Sequence, residues 1–231
     1  MKTIGLIGGM SWESSLEYYR TINKEVNARL GGLHSAHCLM YSVDFAEIER
    51  MQSAGEWREA GEQLGEVAYK LEQAGADFIV ICTNTMHKVV SDLEEKISIP
   101  VLHIADATAA AIKAQNLSKV GLLGTRYTME QDFYSSRIES HGIEVVVPGT
   151  TQREEINRII FEELVAGELL QSSKAYFQQA IRDLVAEGAE GIILGCTEIG
   201  LLIKPEDADV PLFDTAQIHA VQAVDRALEE L

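Results

Sequence analysis

One stretch of the chain occurs twice, and this repetition limits the possible folds more than any other feature. Gly75-Ala76-Asp77-Phe78-Ile79-Val80-Ile81-Cys82-Thr83-Asn84-Thr85-Met86-His87 opens with a helix-ending glycine, runs from Phe78 to Cys82 without a charge, and stops in small polar residues. Such an uncharged run suits a strand buried on both faces of a parallel sheet. Met86, Val89, Val90 and Leu93 then follow at helical spacing. Gly188-Ala189-Glu190-Gly191-Ile192-Ile193-Leu194-Gly195-Cys196-Thr197-Glu198 repeats the pattern without a gap at an offset of 113, setting acid on acid, Ile79 on Ile192 and Thr83 on Cys196. Two flanking matches keep the order. Gly5-Leu6-Ile7-Gly8 falls on Gly121-Leu122-Leu123-Gly124 at an offset of 116, and Ile99-Pro100-Val101-Leu102 on Val210-Pro211-Leu212-Phe213 at 111. Three matches in order at nearly one offset predict two similar halves, not a short-period solenoid.

The rest of the chain fits that frame. A strand over Lys2–Ile7 ends in Gly8-Gly9-Met10-Ser11, with Ser11 as N-cap of a helix from Trp12 to Leu30 whose inward stripe is Leu16, Tyr19, Val26 and Leu30. His37–Val43 reads as a strand and Glu56–Gln73 as a helix with Leu64, Val67, Ala68 and Leu71 inward. After the short strand Ile99–Leu102 comes a helix over Ala105–Ala114. The second half opens with a strand at Val120–Thr125. Capping boxes at Thr128 and Thr151 start helices, and a strand over Ile143–Val147 lies between those helices. Another helix surrounds Phe177, Ile181, Leu184 and Val185. The end, Asp214–Leu231, is helical with Ile218, Val221, Val224 and Leu228 inward. Strands alternating with helices mean an α/β fold with mainly parallel sheets, here two pseudo-symmetric lobes of Rossmann-like or flavodoxin-like form. Lobe one takes residues 1–102 plus 210–231 and carries Thr83; lobe two takes 103–209 and carries Cys196.

Composition excludes several classes of function. A net charge of −17 argues against nucleic acid and anionic membrane surfaces, and tolerates an acidic substrate only where a local site overrides the global field. The apolar runs are too short to span a bilayer, and Met1-Lys2-Thr3-Ile4-Gly5 reads as a strand, not a signal peptide. Three cysteines at irregular spacing, with no CxxC, give neither a disulfide framework nor a zinc site, so no metal is expected and a reducing cytoplasm is the default. The glycine turn at Gly8 could hold an anion on a helix amino end, but it is not GxGxxG, and a dinucleotide is not expected.

Chemistry belongs at the carboxyl ends of such strands. Cys196 stands there between Gly195 and Thr197-Glu198, near backbone N–H groups expected to depress its pKa and supply thiolate. Cys38 reads as an ordinary strand residue, and Cys82 should point away from Thr83 by strand alternation.

Gly8-Gly9-Met10, Asn84-Thr85-Met86-His87 and Gly195-Cys196-Thr197-Glu198 resemble the PLP-independent aspartate/glutamate racemase family over essentially the full length. The resemblance implies two α/β lobes around a cleft, no cofactor, a homodimer, and two cysteines facing opposite sides of a substrate α-carbon. The first of those cysteines is replaced here by Thr83, as in a subgroup of L-aspartate/glutamate-specific racemases. It implies that Cys196 takes the proton from the L-enantiomer and Thr83 donates one to the other face, with D-to-L conversion expected to be slow because a hydroxyl is a poor base. N–H groups at Gly9, Met10, Asn84, Thr85 and Thr197, with Thr125 as the lobe-two counterpart of Gly9, can hold the substrate α-carboxylate and its enolate-like form. Glu198 suits either the substrate ammonium or a helix start, and His87 suits positioning of the turn, proton transfer or the part of a half-buried structural histidine. Arg50, Gln52 and Arg126 compete for a side-chain carboxylate. Two other readings stay open: a single-cysteine decarboxylase or isomerase of the same superfamily, and a non-catalytic binder of acidic amino acids.

Overall fold

The computed structural model describes residues 1–229; the final two, within the helix expected to run to Leu231, lie outside the described residues. The chain separates into two compact units, Met1–His103 with the segment from His219 onward, and Ile104–Ile218. The expected return to lobe one at residue 210 is too early, because the strand at Leu212–Asp214 hydrogen-bonds within the second sheet.

The first unit runs β1 (Ile4–Gly8), α1 (Trp12–Leu30), β2 (Cys38–Ser42), α2 (Phe45–Ala54), α3 (Trp57–Gln73), β3 (Phe78–Ile81), a 3₁₀ turn (Thr85–Val89), α4 (Val90–Glu94) and β4 (Val101–Leu102). The second runs α5 (Ile104–Ala114), β5 (Lys119–Gly124), α6 (Arg126–Glu130), α7 (Asp132–Ser140), β6 (Glu144–Val146), α8 (Thr150–Glu162), α9 (Gln171–Ala186), β7 (Ile192–Gly195), α10 (Ile199–Leu202) and β8 (Leu212–Asp214). Helix α11 (Thr215–Leu228) starts in the second unit and continues into the first. Both sheets are parallel and four-stranded, in the orders β2-β1-β3-β4 and β6-β5-β7-β8.

The repeat extends to register. Gly5 faces Ile79 in the first sheet, and Gly121 faces Ile192 in the second. Ile79 faces Val101, and Ile192 faces Leu212. These pairs are the ones the sequence offsets superpose. The glycines have a shared steric cause: a Cβ at Gly5 would meet Ile79 Cδ1 at 2.9 Å, and one at Gly121 would meet Ile192 Cδ1 at 2.6 Å. The acid-on-acid match is a clip on the start of the neighbouring strand in the sheet, β1 in the first and β5 in the second. Asp77 Oδ2 accepts the Thr3 N–H at 2.6 Å, and Glu190 Oε2 accepts those of Ser118 at 2.7 Å and Lys119 at 3.0 Å.

Helix α3 buries Leu64, Val67, Ala68 and Leu71 as its spacing predicts. Of the predicted stripe of helix α1 only Val26 is buried. Leu16 is 51% and Tyr19 48% exposed, and the buried face is Ser14, Ser15, Tyr18, Ile22 and Val26. The serines are drawn inward by backbone they must satisfy: Ser15 Oγ accepts the Gly9 N–H at 2.8 Å, and Ser14 Oγ donates to the Cys82 carbonyl at 3.3 Å. Helix α11 buries Thr215, Ala216, His219, Ala220, Ala223, Val224 and Ala227, so of its predicted stripe only Val224 is fully inward. Neither predicted capping box forms. Thr125, not Thr128, caps α6 through its Oγ1, and Gly149 precedes α8 without a side-chain cap.

Gly5→Val should destabilise the first unit by about 1–3 kcal/mol, because Ile79 and Ala76 leave no room for the added methyls. Urea unfolding checks this, and an unchanged midpoint would contradict the steric reading of the repeat.

Candidate functional site

In the first unit, β3 delivers Thr83 to a tightly bonded turn. Its N–H donates to the Ile81 carbonyl at 2.9 Å, and its carbonyl accepts from His87 Nδ1 at 2.8 Å. Thr83 is half-buried, whereas Asn84, Thr85, Met86 and His87 are buried. Cys82 has no exposure at all, and burial pushes its thiol pKa far up, which makes it an inert core residue. Gln52 is buried beside the same turn, its Nε2 meeting Met86 Sδ at 3.0 Å.

The glycine turn after β1 is forced by space. Gly9 has φ +95°, and a Cβ there would lie 2.2 Å from the Val43 carbonyl oxygen. Its N–H is committed to Ser15 Oγ, so of the two donors expected at this turn Gly9 is spent within the fold and Met10 carries the expectation.

In the second unit, β7 delivers Cys196. Its Sγ donates to Glu198 Oε2 at 3.0 Å, and the Thr197 hydroxyl donates to the same oxygen at 2.9 Å. All three residues are buried, at 8%, 9% and 3% exposure. The Glu198 carboxylate is thus engaged with the thiol, an arrangement the sequence reading does not contain. Thr125 Oγ1 receives the Thr128 N–H at 3.3 Å and lies 3.1 Å from the Thr128 hydroxyl, so its side chain serves as a cap. The two arginine candidates differ. Arg50 is exposed and neutralised by Glu56 at 2.6 Å and Glu59 at 3.6 Å. Arg126 is exposed beside the Tyr127 ring, and none of the ion pairs among the described residues involves it. Among the described residues, no group of three or more His, Cys, Asp and Glu side chains could hold a metal, and no helix is long and apolar enough to cross a membrane.

Residues 7–223 match the profile of the Asp/Glu/Hydantoin racemase family. The chain belongs to that family. It is 30% identical over 215 residues to a glutamate racemase of Streptococcus suis, covering 88% of this chain and 76% of the relative. It is 27% identical over 157 residues to the broad-specificity amino-acid racemase RacX of Bacillus subtilis, covering 68% and 67%. Its fold superposes on an aspartate racemase homologue from Pyrococcus horikoshii with a TM-score of 0.86 and 39% identity, covering 99% of this chain and 100% of the other. The Picrophilus torridus aspartate racemase shares the fold at a TM-score of 0.75 and 20% identity, covering 98% and 94%.

For a member of this family, the protonation of the buried Cys196 thiol matters most. The expected depression of its pKa is overturned. Burial, first, and then the adjacent Glu198 carboxylate hold Cys196 well above the usual thiol value, outweighing the Thr197 and Glu198 N–H groups that pull the other way. At rest the side chain is a thiol with a carboxylate placed to take its proton. Two histidines that no motif in the sequence marks lie beside His87. His103 and His219 are buried against His87, with ring centroids 4.7 and 5.7 Å from it. Their signal in the sequence was faint: His103 follows β4, and His219 lies within an alanine-rich helix face.

Glu198→Gln should bring the Cys196 pKa down toward the ordinary thiol range by removing the carboxylate charge. Iodoacetamide labelling mapped by mass spectrometry should then modify Cys196 several-fold faster at pH 8 than in the wild type. Equal or slower labelling of the variant would contradict the electrostatic account.

Proposed function

We propose that the protein racemises acidic amino acids, aspartate and glutamate, without a cofactor, Cys196 deprotonating the L-enantiomer and Thr83 serving as proton donor on the opposite face. The single observation that carries this reading is the buried Cys196–Glu198 contact at the end of β7. Glu198 takes the thiol proton; the thiolate removes the substrate α-proton and is again a thiol. The resulting carbanion takes a proton from the Thr83 hydroxyl, which is refilled from solvent while Glu198 releases its proton there, so protons balance. This reading gives Glu198 the thiol, not the substrate ammonium, as its partner. N–H groups at Met10, Asn84, Thr85 and Thr197 supply donors for the α-carboxylate as negative charge spreads onto it. Arg126 is favoured over Arg50 for the side-chain carboxylate, because Arg50 is already neutralised by two glutamates.

D-to-L conversion is not slower than L-to-D conversion, against the expectation from the sequence. Enantiomers have equal free energy, so kcat/KM must be the same in both directions, and a poor base at Thr83 limits both. Family resemblance and the exposed apolar face of α1, where Trp12, Leu16 and Tyr19 are 64%, 51% and 48% exposed, support a homodimer.

Cys196→Ala should lower racemisation by at least about 1,000-fold in both directions, and Thr83→Cys should raise kcat/KM about tenfold or more, equally in both. Chiral chromatography with each enantiomer checks this. Retained activity in Cys196→Ala would overturn the assignment of the thiol, and an unchanged or slower Thr83→Cys that of Thr83.

A further inference from the structure

The family assignment leaves unexplained a buried polar column in the first unit, Tyr18–His219–His87, that ends on the Thr83 backbone. We infer that His87 is a positioning residue for Thr83, held in place by His219 and Tyr18; this rests on the proposed role of Thr83.

The hydrogen atoms along the column are fixed by the carbonyls. A carbonyl can only accept, so His87 Nδ1, at 2.8 Å from the Thr83 carbonyl oxygen, carries a proton. His219 Nε2, at 2.9 Å from the Leu102 carbonyl, carries one as well. The neutral ring of His219 then presents Nδ1 as an acceptor to the Tyr18 hydroxyl at 2.9 Å. Burial holds both rings neutral: it lowers the His219 pKa to about 3 and that of His87 well below the ordinary value, with the neighbouring histidine rings adding to each shift. His219 and Tyr18 meet edge to face with centroids 5.7 Å apart, as do His87 and His219.

The consequence for Thr83 is geometric. Its N–H is held by the Ile81 carbonyl and its own carbonyl by His87, which fixes the peptide planes on both sides of its Cα. A β-branched side chain is stiff at χ1, so fixing the backbone aims Oγ1. Cys196 is aimed differently. Position 200, which matches His87 at the offset of 113, is a glycine where a Cβ would lie 2.2 Å from Asp214 Oδ2, and the thiol is held through its own contact with Glu198. The two turns repeat in sequence, and only the Thr83 turn has the histidine clamp.

Proton exchange and inversion separate the two halves of the reaction. In D2O with an L-substrate, loss of the Cα–H signal reports Cys196, and D-product reports Thr83. His87→Leu should lower inversion about 10- to 100-fold, the scale of a misplaced catalytic group, with exchange within about twofold of wild type. His87→Asn, whose amide nitrogen takes the place of Nδ1, should recover most of the inversion. Tyr18→Phe, a change that removes only a hydroxyl, should lower inversion about two- to fivefold with exchange unchanged, and it tests the column if His87→Leu does not fold. Unchanged inversion in His87→Leu, or in Tyr18→Phe, would overturn the positioning role, as would parallel losses of exchange and inversion. Thr83→Ala run alongside should exchange without inverting. If it still inverts, the reading of Thr83 itself fails, an outcome distinct from failure of the clamp.

Discussion

Each central strand of this fold ends in a buried polar turn, and burial is the constraint on which the surrounding structure depends. Away from water, an N–H or carbonyl without a partner costs about 1–3 kcal/mol, so neighbouring elements are recruited to the turns. Helix α1 turns its serines inward to hold Gly9 and Cys82, at the expense of exposing Leu16 and Tyr19. His87 folds back onto Thr83, and Glu198 accepts two hydrogen bonds on one carboxylate oxygen. The same low polarity that makes these bonds necessary strengthens the electrostatics through which chemistry would proceed.

The two matching turns carry unlike side chains. One holds a thiol beside a carboxylate; the other holds a hydroxyl aimed through its backbone by an imidazole. A thiol with an internal base can be converted to a nucleophilic form on demand. A hydroxyl has no comparable resting base among its described bonds, so proton transfer at Thr83 is the slower half of the reaction in both directions. The raised pKa of Cys196 belongs to this logic, since a thiolate buried permanently beside Glu198 would be opposed by both burial and like charge.

Much of this was legible in the sequence because sheet register leaves a mark. Gly5 and Gly121 are small for the same steric reason, and Asp77 and Glu190 are acidic because each clips the start of the neighbouring strand in its sheet, so the internal matches foretold the paired sheets. The placement of Cys196 directly after a central strand was equally readable. What escaped were features set by contacts distant in sequence. The inward face of α1 is chosen by Gly9 and Cys82, not by hydropathy. The second lobe boundary lies at 218 because β8 pairs with β7. His219 meets Tyr18 across 201 positions of the chain, and no periodicity announces such a pair. The thiol pKa was misjudged because the N–H groups nearby were visible in the sequence and the orientation of the Glu198 side chain was not.

The most direct test of the central claim is proton NMR of the wild-type protein in D2O, without pyridoxal, on the L- and D-forms of aspartate and glutamate. The account predicts loss of the Cα–H signal from an L-form with the D-enantiomer appearing on a chiral column. Silence on all four, or loss of carbon dioxide from a malonate-type acid in place of exchange, would contradict it.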